Sequence, residues 1–269
     1  MTTYKEIFGK QIKQLSTDPA NDAEGQIWFN TTSGAFKTVV ASGAWSSGSN
    51  LVGAVRSAVG SSGTQTASLS VGGESPGYIN LVEEYNGTSW TEGNNLGQAR
   101  YNVHGAGTQA AGLAIGGSPP APNGLVNVEH YGGTSWTAGA NLPASKRSLG
   151  ASGTQTAGLA FGGQQALVTT EEYDGSSWTT VNPTTVARDA GLGGGDLQTS
   201  AFIATGNPGV LTEHYNGTIW SAAPNVATAR NNGAAAGTTN SGLGFGGYNN
   251  KNNTEEFTTA AATKTFTTS

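Results

Sequence analysis

The chain has 269 residues with a formal net charge of −5; 42 are Gly, 11% are charged and none is Cys. The lack of Cys excludes disulfides and thiolate metal sites, and the acidic balance removes general attraction to nucleic acid or acidic membranes. Aromatic and β-branched residues recur at fixed intervals, which argues against disorder despite the Gly content, and the length suits one large all-β domain.

Residues 1–24 stand outside any repeat. Lys5, Lys10 and Lys13 interrupt the first fifteen residues, so no signal peptide is expected there, and no run in the chain reaches transmembrane length. Ile7, Phe8, Ile12 and Leu15 have the spacing of a short amphipathic helix ended before Pro19. Gln26–Asn30, the turn Thr31–Gly34 and Ala35–Val40 predict a β-hairpin, after which Ala41–Gly43 turns into Trp45. Sequons at Asn30, Asn86, Asn216 and Asn252 read as turn residues.

From there the chain repeats itself. Glu84-Tyr85-Asn86-Gly87-Thr88-Ser89-Trp90 returns around Tyr131 and Trp136, Tyr173 and Trp178, and Tyr215 and Trp220, with a decayed copy at Glu256-Phe257. The tyrosines are 46, 42 and 42 residues apart. An apolar stretch ending in Gly-Gly at 72, 116, 162 and 246 keeps the same beat, with Thr205-Gly206 in the fourth copy. So do Arg56, Arg100, Arg147, Arg188 and Arg230. Periods of this length with Gly-Gly, an aromatic and a Trp mark a propeller blade.

Each full repeat reads as four strands. A small-residue strand follows the Arg and runs to a Gly-Thr-Gln turn at 63, 107 or 153; a second climbs to Gly-Gly; a third carries Glu-x-Tyr; an Asn-Gly or Asp-Gly turn then leads into the Trp strand. The last repeat, Arg230 to Phe257, has three strands and no Trp. Trp45 lies 11 residues before Arg56, in register as a Trp strand whose other three strands are missing. The expected fold is therefore a five-bladed β-propeller over residues 41–269, closed by the strand around Trp45, with 1–40 as an attachment segment. The alternative is that Phe266 supplies the last strand.

A residue present in every blade is expected to build blades. Tyr85, Tyr131, Tyr173 and Tyr215, with Trp45, Trp90, Trp136, Trp178 and Trp220, suit packing between sheets. A lectin role, with each Trp stacking on a sugar, is the competing reading. The five Arg could ring a channel mouth as an anion site. Each repeat also has an acid before its aromatic (Glu83 or Glu84, Glu129, Glu171 or Glu172, Glu213, Glu255 or Glu256), which is the stoichiometry of interblade ion pairs.

The order Gly-Gly, Tyr, Trp, Arg resembles the kelch motif over residues 45–257, and that resemblance implies partner binding through loops on one face. By meander geometry the loops after Gly-Gly and the Trp-to-Arg loops share a face, with the Gly-Thr-Gln turns opposite. The turns repeat almost verbatim while the post-Gly-Gly loops differ, so the loops are the candidate binding face. Its candidate residues are Tyr78, Asn123, Gln164, Gln165, Asn207, Tyr248, Asn249 and Lys251.

No enzyme, cofactor or metal is expected. Propeller oxidases that resemble kelch proteins need a Cys–Tyr copper site, and only five Asp are available for carboxylate chemistry. His104, His130 and His214 are too scattered for a metal site, and the last two replace the Glu beside Tyr.

The segment Gly25–Lys37 resembles a short hairpin common in tail-fibre and other virion proteins of tailed bacteriophages, and the repeats resemble propellers predicted for marine phages. These resemblances imply a virion protein made in the host cytoplasm, docked to other virion proteins through residues 1–40. The propeller would face outward to bind a host surface glycan. A purely architectural virion subunit is the second expectation and a cellular kelch-type adaptor the third. No nucleic acid or membrane insertion is expected, and assembly into a homo-oligomer on the particle stays open.

Overall fold

In a computed structural model, which describes residues 13–17, 27–38, 47–53, 55–119, 124–165, 167–206, 209–247 and 254–258, every regular element among the described residues is a β-strand. The chain divides into two compact units, Met1–Ser47 and Gly48–Ser269.

In the first unit, β1 (Lys13–Leu15) pairs in parallel with β2 (Ile27–Asn30), which pairs antiparallel with β3 (Ala35–Thr38). The predicted hairpin forms, its turn held by the Asn30 side chain, whose Oδ1 accepts N–H bonds from Thr32 (3.0 Å) and Ser33 (2.9 Å). The helix expected to end at Leu15 is corrected. Leu15 lies in a strand, where the hairpin edge partners its backbone, as a helix this short could not secure alone. Ile7, Phe8 and Ile12 lie outside the described residues.

Among the described residues the second unit holds five antiparallel sheets in chain order. The first is β4 (Gly60–Thr64), β5 (Ala67–Val71), β6 (Val82–Tyr85) and β7 (Trp90–Glu92). The second is β8 (His104–Gly107), β9 (Gly112–Ile115), β10 (Val128–Tyr131) and β11 (Trp136–Ala138). The third is β12 (Gly150–Thr154), β13 (Ala157–Phe161), β14 (Thr170–Tyr173) and β15 (Trp178–Val181). The fourth is β16 (Leu192–Leu197), β17 (Ser200–Ala204), β18 (Thr212–Tyr215) and β19 (Trp220–Ala223). The fifth has, among the described residues, β20 (Ala234–Gly237), β21 (Ser241–Phe245) and β22 (Thr254–Thr258).

Local chemistry sets each hairpin. Tyr and Trp face each other across the last two strands, with ring centroids 4.9–5.1 Å apart in all four full sheets. Between them Asn86, Asp174 or Asn216 caps the loop by accepting N–H bonds two and three residues on. The second copy, Gly132-Gly133, closes through backbone alone, from Gly132 N to Ser135 O.

The core lies between consecutive sheets. Leu69, Val71 and Val82 of the first sheet meet Ala114 and Tyr131 of the second. Leu113 and Ile115 meet Ala160, Tyr173 and Trp178 of the third, and Leu159 and Phe161 meet Ile203, Tyr215 and Trp220 of the fourth. Each Trp after the first thus packs back onto the sheet before its own. The first strands lie side by side in the order β4, β8, β12, β16, β20. This arrangement is consistent with a β-propeller-like fold.

Gly-Gly is required by close approach. A Cβ on Gly72 would lie 2.5 Å from the Arg100 carbonyl, and one on Gly116 would lie 2.5 Å from the Lys146 carbonyl. Both glycines also have positive φ. Thr205 takes the left-handed position in the fourth copy, where its hydroxyl exchanges bonds with the backbone of Arg230.

Candidate functional site

The loops entering each sheet carry one ion pair per repeat: Arg56–Glu83 (3.2 Å), Arg100–Glu129 (2.9 Å), Lys146–Glu171 (3.2 Å), Arg188–Glu213 (2.5 Å) and Arg230–Glu255 (2.6 Å). The cationic side chains are at most 1% exposed. An open ring of guanidinium groups for anions is therefore not what these residues form.

Two sequence expectations are corrected. Each pair lies within one repeat rather than between blades, joining the loop that enters a sheet to that sheet's third strand. The junction is made by backbone instead: Gly73 N donates to Arg100 O, Gly117 N to Lys146 O and Gly206 N to Arg230 O. And the third cation is Lys146, not Arg147. Register decides it, because the residue two after each cation is left-handed: Ala58, Asn102, Ser148, Ala190 and Asn232. The signal was legible, since Lys146 is ten residues after Trp136, as Arg100, Arg188 and Arg230 are after their Trp.

The carboxylates also take N–H bonds from the entering loop. Glu83 accepts from Val52 and Gly53, Glu129 from Gly97, Glu213 from Thr185, and Glu255 from Ala227 and Thr228. Three residues before each cation stand Gly53, Gly97, Pro143, Thr185 and Ala227, and only Pro143 has no N–H to give. Lys146 directs protons to Gly162 O, Thr169 O and Thr169 Oγ1 and stands 3.2 Å from Glu171 Oε2. Burial pushes the Glu171 carboxyl up, against the pull of Lys146 and the Thr169 hydroxyl. Glu255 goes the other way: burial raises it, but the N–H bonds and Arg230 more than offset this and hold it low.

The second acid of each motif serves a different bond. Tyr131 donates to Glu84 and Tyr215 to Glu172 (2.8 Å), while Tyr173 pairs with His130 (3.1 Å) and Phe257 meets His214 edge-on at 5.1 Å. The histidines beside Tyr thus hold sheets together. His104 lines a cavity of about 380 Å³ bordered by Ala58, Asn102, Ser148, Ala190 and Asn232, one residue from each of the five repeats. Burial lowers it to about 4, so it is neutral at pH 7. Among the described residues no three His, Asp or Glu side chains converge as a metal site.

The Gly-Thr-Gln turns, and Asp196-Leu197-Gln198 in the fourth repeat, hide a clamp. Gln109 Nε2 donates to Ser68 O and Tyr85 O, Gln155 to Gly112 O and Tyr131 O, and Gln198 to Gly158 O and Tyr173 O. The near-verbatim turns are structural, as their repetition implies, and the Gln side chain is what they position.

On the other face, the residue after each cation differs in every repeat: Ser57, Tyr101, Arg147, Asp189 and Asn231. The first four of these meet the post-Gly-Gly loops, so the two loop sets share a face as expected. Ser57 bridges Glu74 and Tyr101 bridges Ser118; Arg147 O accepts from Gln164 N (2.9 Å), and Asp189 Oδ1 from Gln165 N (3.1 Å). Tyr78 stacks on Tyr101 with centroids 4.8 Å apart. Arg147 is held by Ser118 Oγ (3.3 Å) and forms no ion pair among the described residues. Tyr78, Gln164 and Gln165 therefore belong to this face; Asn123, Asn207, Tyr248, Asn249 and Lys251 lie outside the described residues, as do Trp45 and Phe266.

A groove of about 350 Å³ runs between the fourth and fifth sheets, lined by Phe202, Thr212, His214, Leu243, Glu255 and Phe257. At the preceding junction the corresponding space holds Trp220, whose Nε1 donates to Thr170 Oγ1 (2.9 Å). Thr212 opens its strand as Thr170 does, and its Oγ1 is buried without a hydrogen-bond partner among the described residues. No known family model and no characterised protein matches the chain.

Proposed function

We propose that the chain is a non-enzymatic virion protein of a bacteriophage, displaying a kelch-like propeller whose loop face adheres to a host surface ligand of glycan type. What carries the reading is the contrast between register positions. The cation, its carboxylate and the left-handed residue two further on are fixed by packing, whereas the residue between them is Ser, Tyr, Arg, Asp or Asn. A scaffold that repeats its buried positions and varies one rim is built to present that rim. The Tyr78–Tyr101 stack beside Ser118 and Arg147 offers an aromatic surface with adjacent donors, the chemistry of sugar recognition. Residues 1–40 are the proposed attachment to other virion proteins.

The same reading takes the five sheets as five blades, with the strand around Trp45 completing the fifth. The groove beside β22 and the Thr212 hydroxyl, which has no hydrogen-bond partner among the described residues, support a further strand there, because Thr212 stands where Thr170 receives the Trp220 indole.

Labelled full-length chain is expected to bind candidate bacterial host cells saturably and to be displaced by their surface polysaccharide. A folded chain that binds particles but no cell would leave the architectural subunit as the better reading.

A further inference from the structure

The cavity that His104 lines is walled by residues whose identity packing does not explain. Ala58, Asn102, Ser148, Ala190 and Asn232 have φ of 48–53°. Packing fixes that left-handed conformation, but Gly would take it without strain, so side chains kept at all five positions argue for a use of the wall itself. His104 stands four residues after its cation, where the other repeats have Gly60, Gly150, Leu192 and Ala234. Packing there does not call for an imidazole. Its Nδ1 is buried without a partner, as is Ser148 Oγ, and the Asn102 and Asn232 side-chain amides form no hydrogen bond among the described residues. His104 Nε2, likewise unbonded among the described residues, is open to the cavity. The neutral ring then carries its proton on Nε2, because a buried lone pair costs less than a buried N–H with no acceptor. The backbone of the wall also breaks beside Ser148. Asn102 N donates to Ala58 O, Ser148 N to Asn102 O and Asn232 N to Ala190 O, but among the described residues no bond joins Ala190 N to Ser148 O.

We propose that this cavity binds one neutral sugar residue, the terminal unit of the host glycan. Its volume of about 380 Å³ suits a small ligand. Sugar hydroxyls both donate and accept, so one ring can take the His104 N–H and partner the Ser148 hydroxyl and the two amides together. Phe245 supplies an apolar wall for the C–H face of the sugar. None of the described lining residues carries charge, His104 being neutral at pH 7, so a carboxylate or phosphate would be buried there without a counter-charge. Each left-handed residue directly follows a rim residue, which sets the cavity just inside the variable rim. The ligand class rests on the adhesion reading, whereas the presence of a site does not.

His104→Leu and Ser148→Ala test the site without threatening the fold, since Leu192 and Ala190 occupy the corresponding positions of another repeat. The chain has three His, so the imidazole C–H resonances of His104, His130 and His214 can be followed in the full chain during titration. Glucose, galactose, mannose and N-acetylglucosamine would be added in turn. At least one sugar is expected to move the His104 resonances saturably and leave the other two sets in place. Each substitution should weaken that sugar by about tenfold. The unfolding midpoint should stay or rise, because an unpaired buried polar group is removed. A lower midpoint for His104→Leu would assign the imidazole to packing and overturn the proposal. So would His104 resonances that no sugar moves, as in a cavity holding only water, or a sugar affinity that both variants keep. Cell binding separates this proposal from the adhesion reading. Host cells bound equally by wild type and both variants would count against the cavity alone, whereas a sugar held at His104 by a chain that binds no cell would count against adhesion alone.

Discussion

Glu213→Gln should lower the stability of the fold by about 3–5 kcal/mol, and Glu171→Gln by less than half of that. Both glutamates are buried beside a buried cation, so counting ion pairs would make the two losses equal. The surroundings make them unequal. Glu213 takes the Arg188 guanidinium and both the N–H and hydroxyl of Thr185, and removing its charge strands a guanidinium that cannot shed its proton. Glu171 has no loop N–H, because Pro143 stands where the others donate, and its partner is a lysine already satisfied by three oxygens. Burial lowers Lys146, so without Glu171 the ammonium can neutralise.

Urea midpoints for the two variants provide the check, and pH gives it a sign. A carboxyl held above its unfolded value lends stability below the ordinary glutamate range, about 4.3, and withdraws it as pH rises through the folded value. Wild-type chain should therefore lose part of its stability over that rise, and Glu171→Gln should not. Equal losses for the two variants would show that the third repeat is held as the others are.

Trp45→Ala should be as costly, about 3–5 kcal/mol, if the strand around Trp45 fills the groove beside β22. The expectation comes from the other junctions. Trp178 and Trp220 are 8% and 4% exposed, and each packs onto the preceding sheet. Trp136 and Trp178 leave their indole N–H unpaired, and the residues corresponding to Thr170 on the sheets they pack against are Val82 and Val128. Trp220 meets Thr170 and is bonded; Thr212 has its hydroxyl at the corresponding position, without a partner among the described residues. A double-mutant cycle of Trp45→Phe and Thr212→Val should show coupling, and Phe266→Ala should cost little. A large loss for Phe266→Ala with none for Trp45→Ala would move the closing strand to the C-terminus.

What was legible in the sequence was whatever the repeat spelled out with rare residues. Tyr, Trp and Gly-Gly marked the strands and hairpins because few positions tolerate an alternative. Lys146 was misread because Arg147 beside it matched by type, although the spacing from Trp136 pointed one residue earlier. The Gln clamps were invisible because a Gln in a tight turn looks solvated, and its acceptors lie 24–43 residues away. Choosing between adjacent acids such as Glu83 and Glu84 needed strand register, which sends one toward the cation and the other toward the next sheet. Leu15 could read as helix because apolar spacing over so short a stretch does not see the hairpin edge that captures it.

The central claim is that recognition resides on the variable rim and not on the scaffold, and exchanging the loop 118–124 for the shorter loop 164–167 tests it most directly. Binding of the labelled full-length chain to host cells would be measured beside its unfolding midpoint. The predicted result is lost or altered binding with the midpoint held within a few degrees. Unchanged binding by the folded loop variant, together with loss in a scaffold variant such as Gln155→Ala, would contradict it.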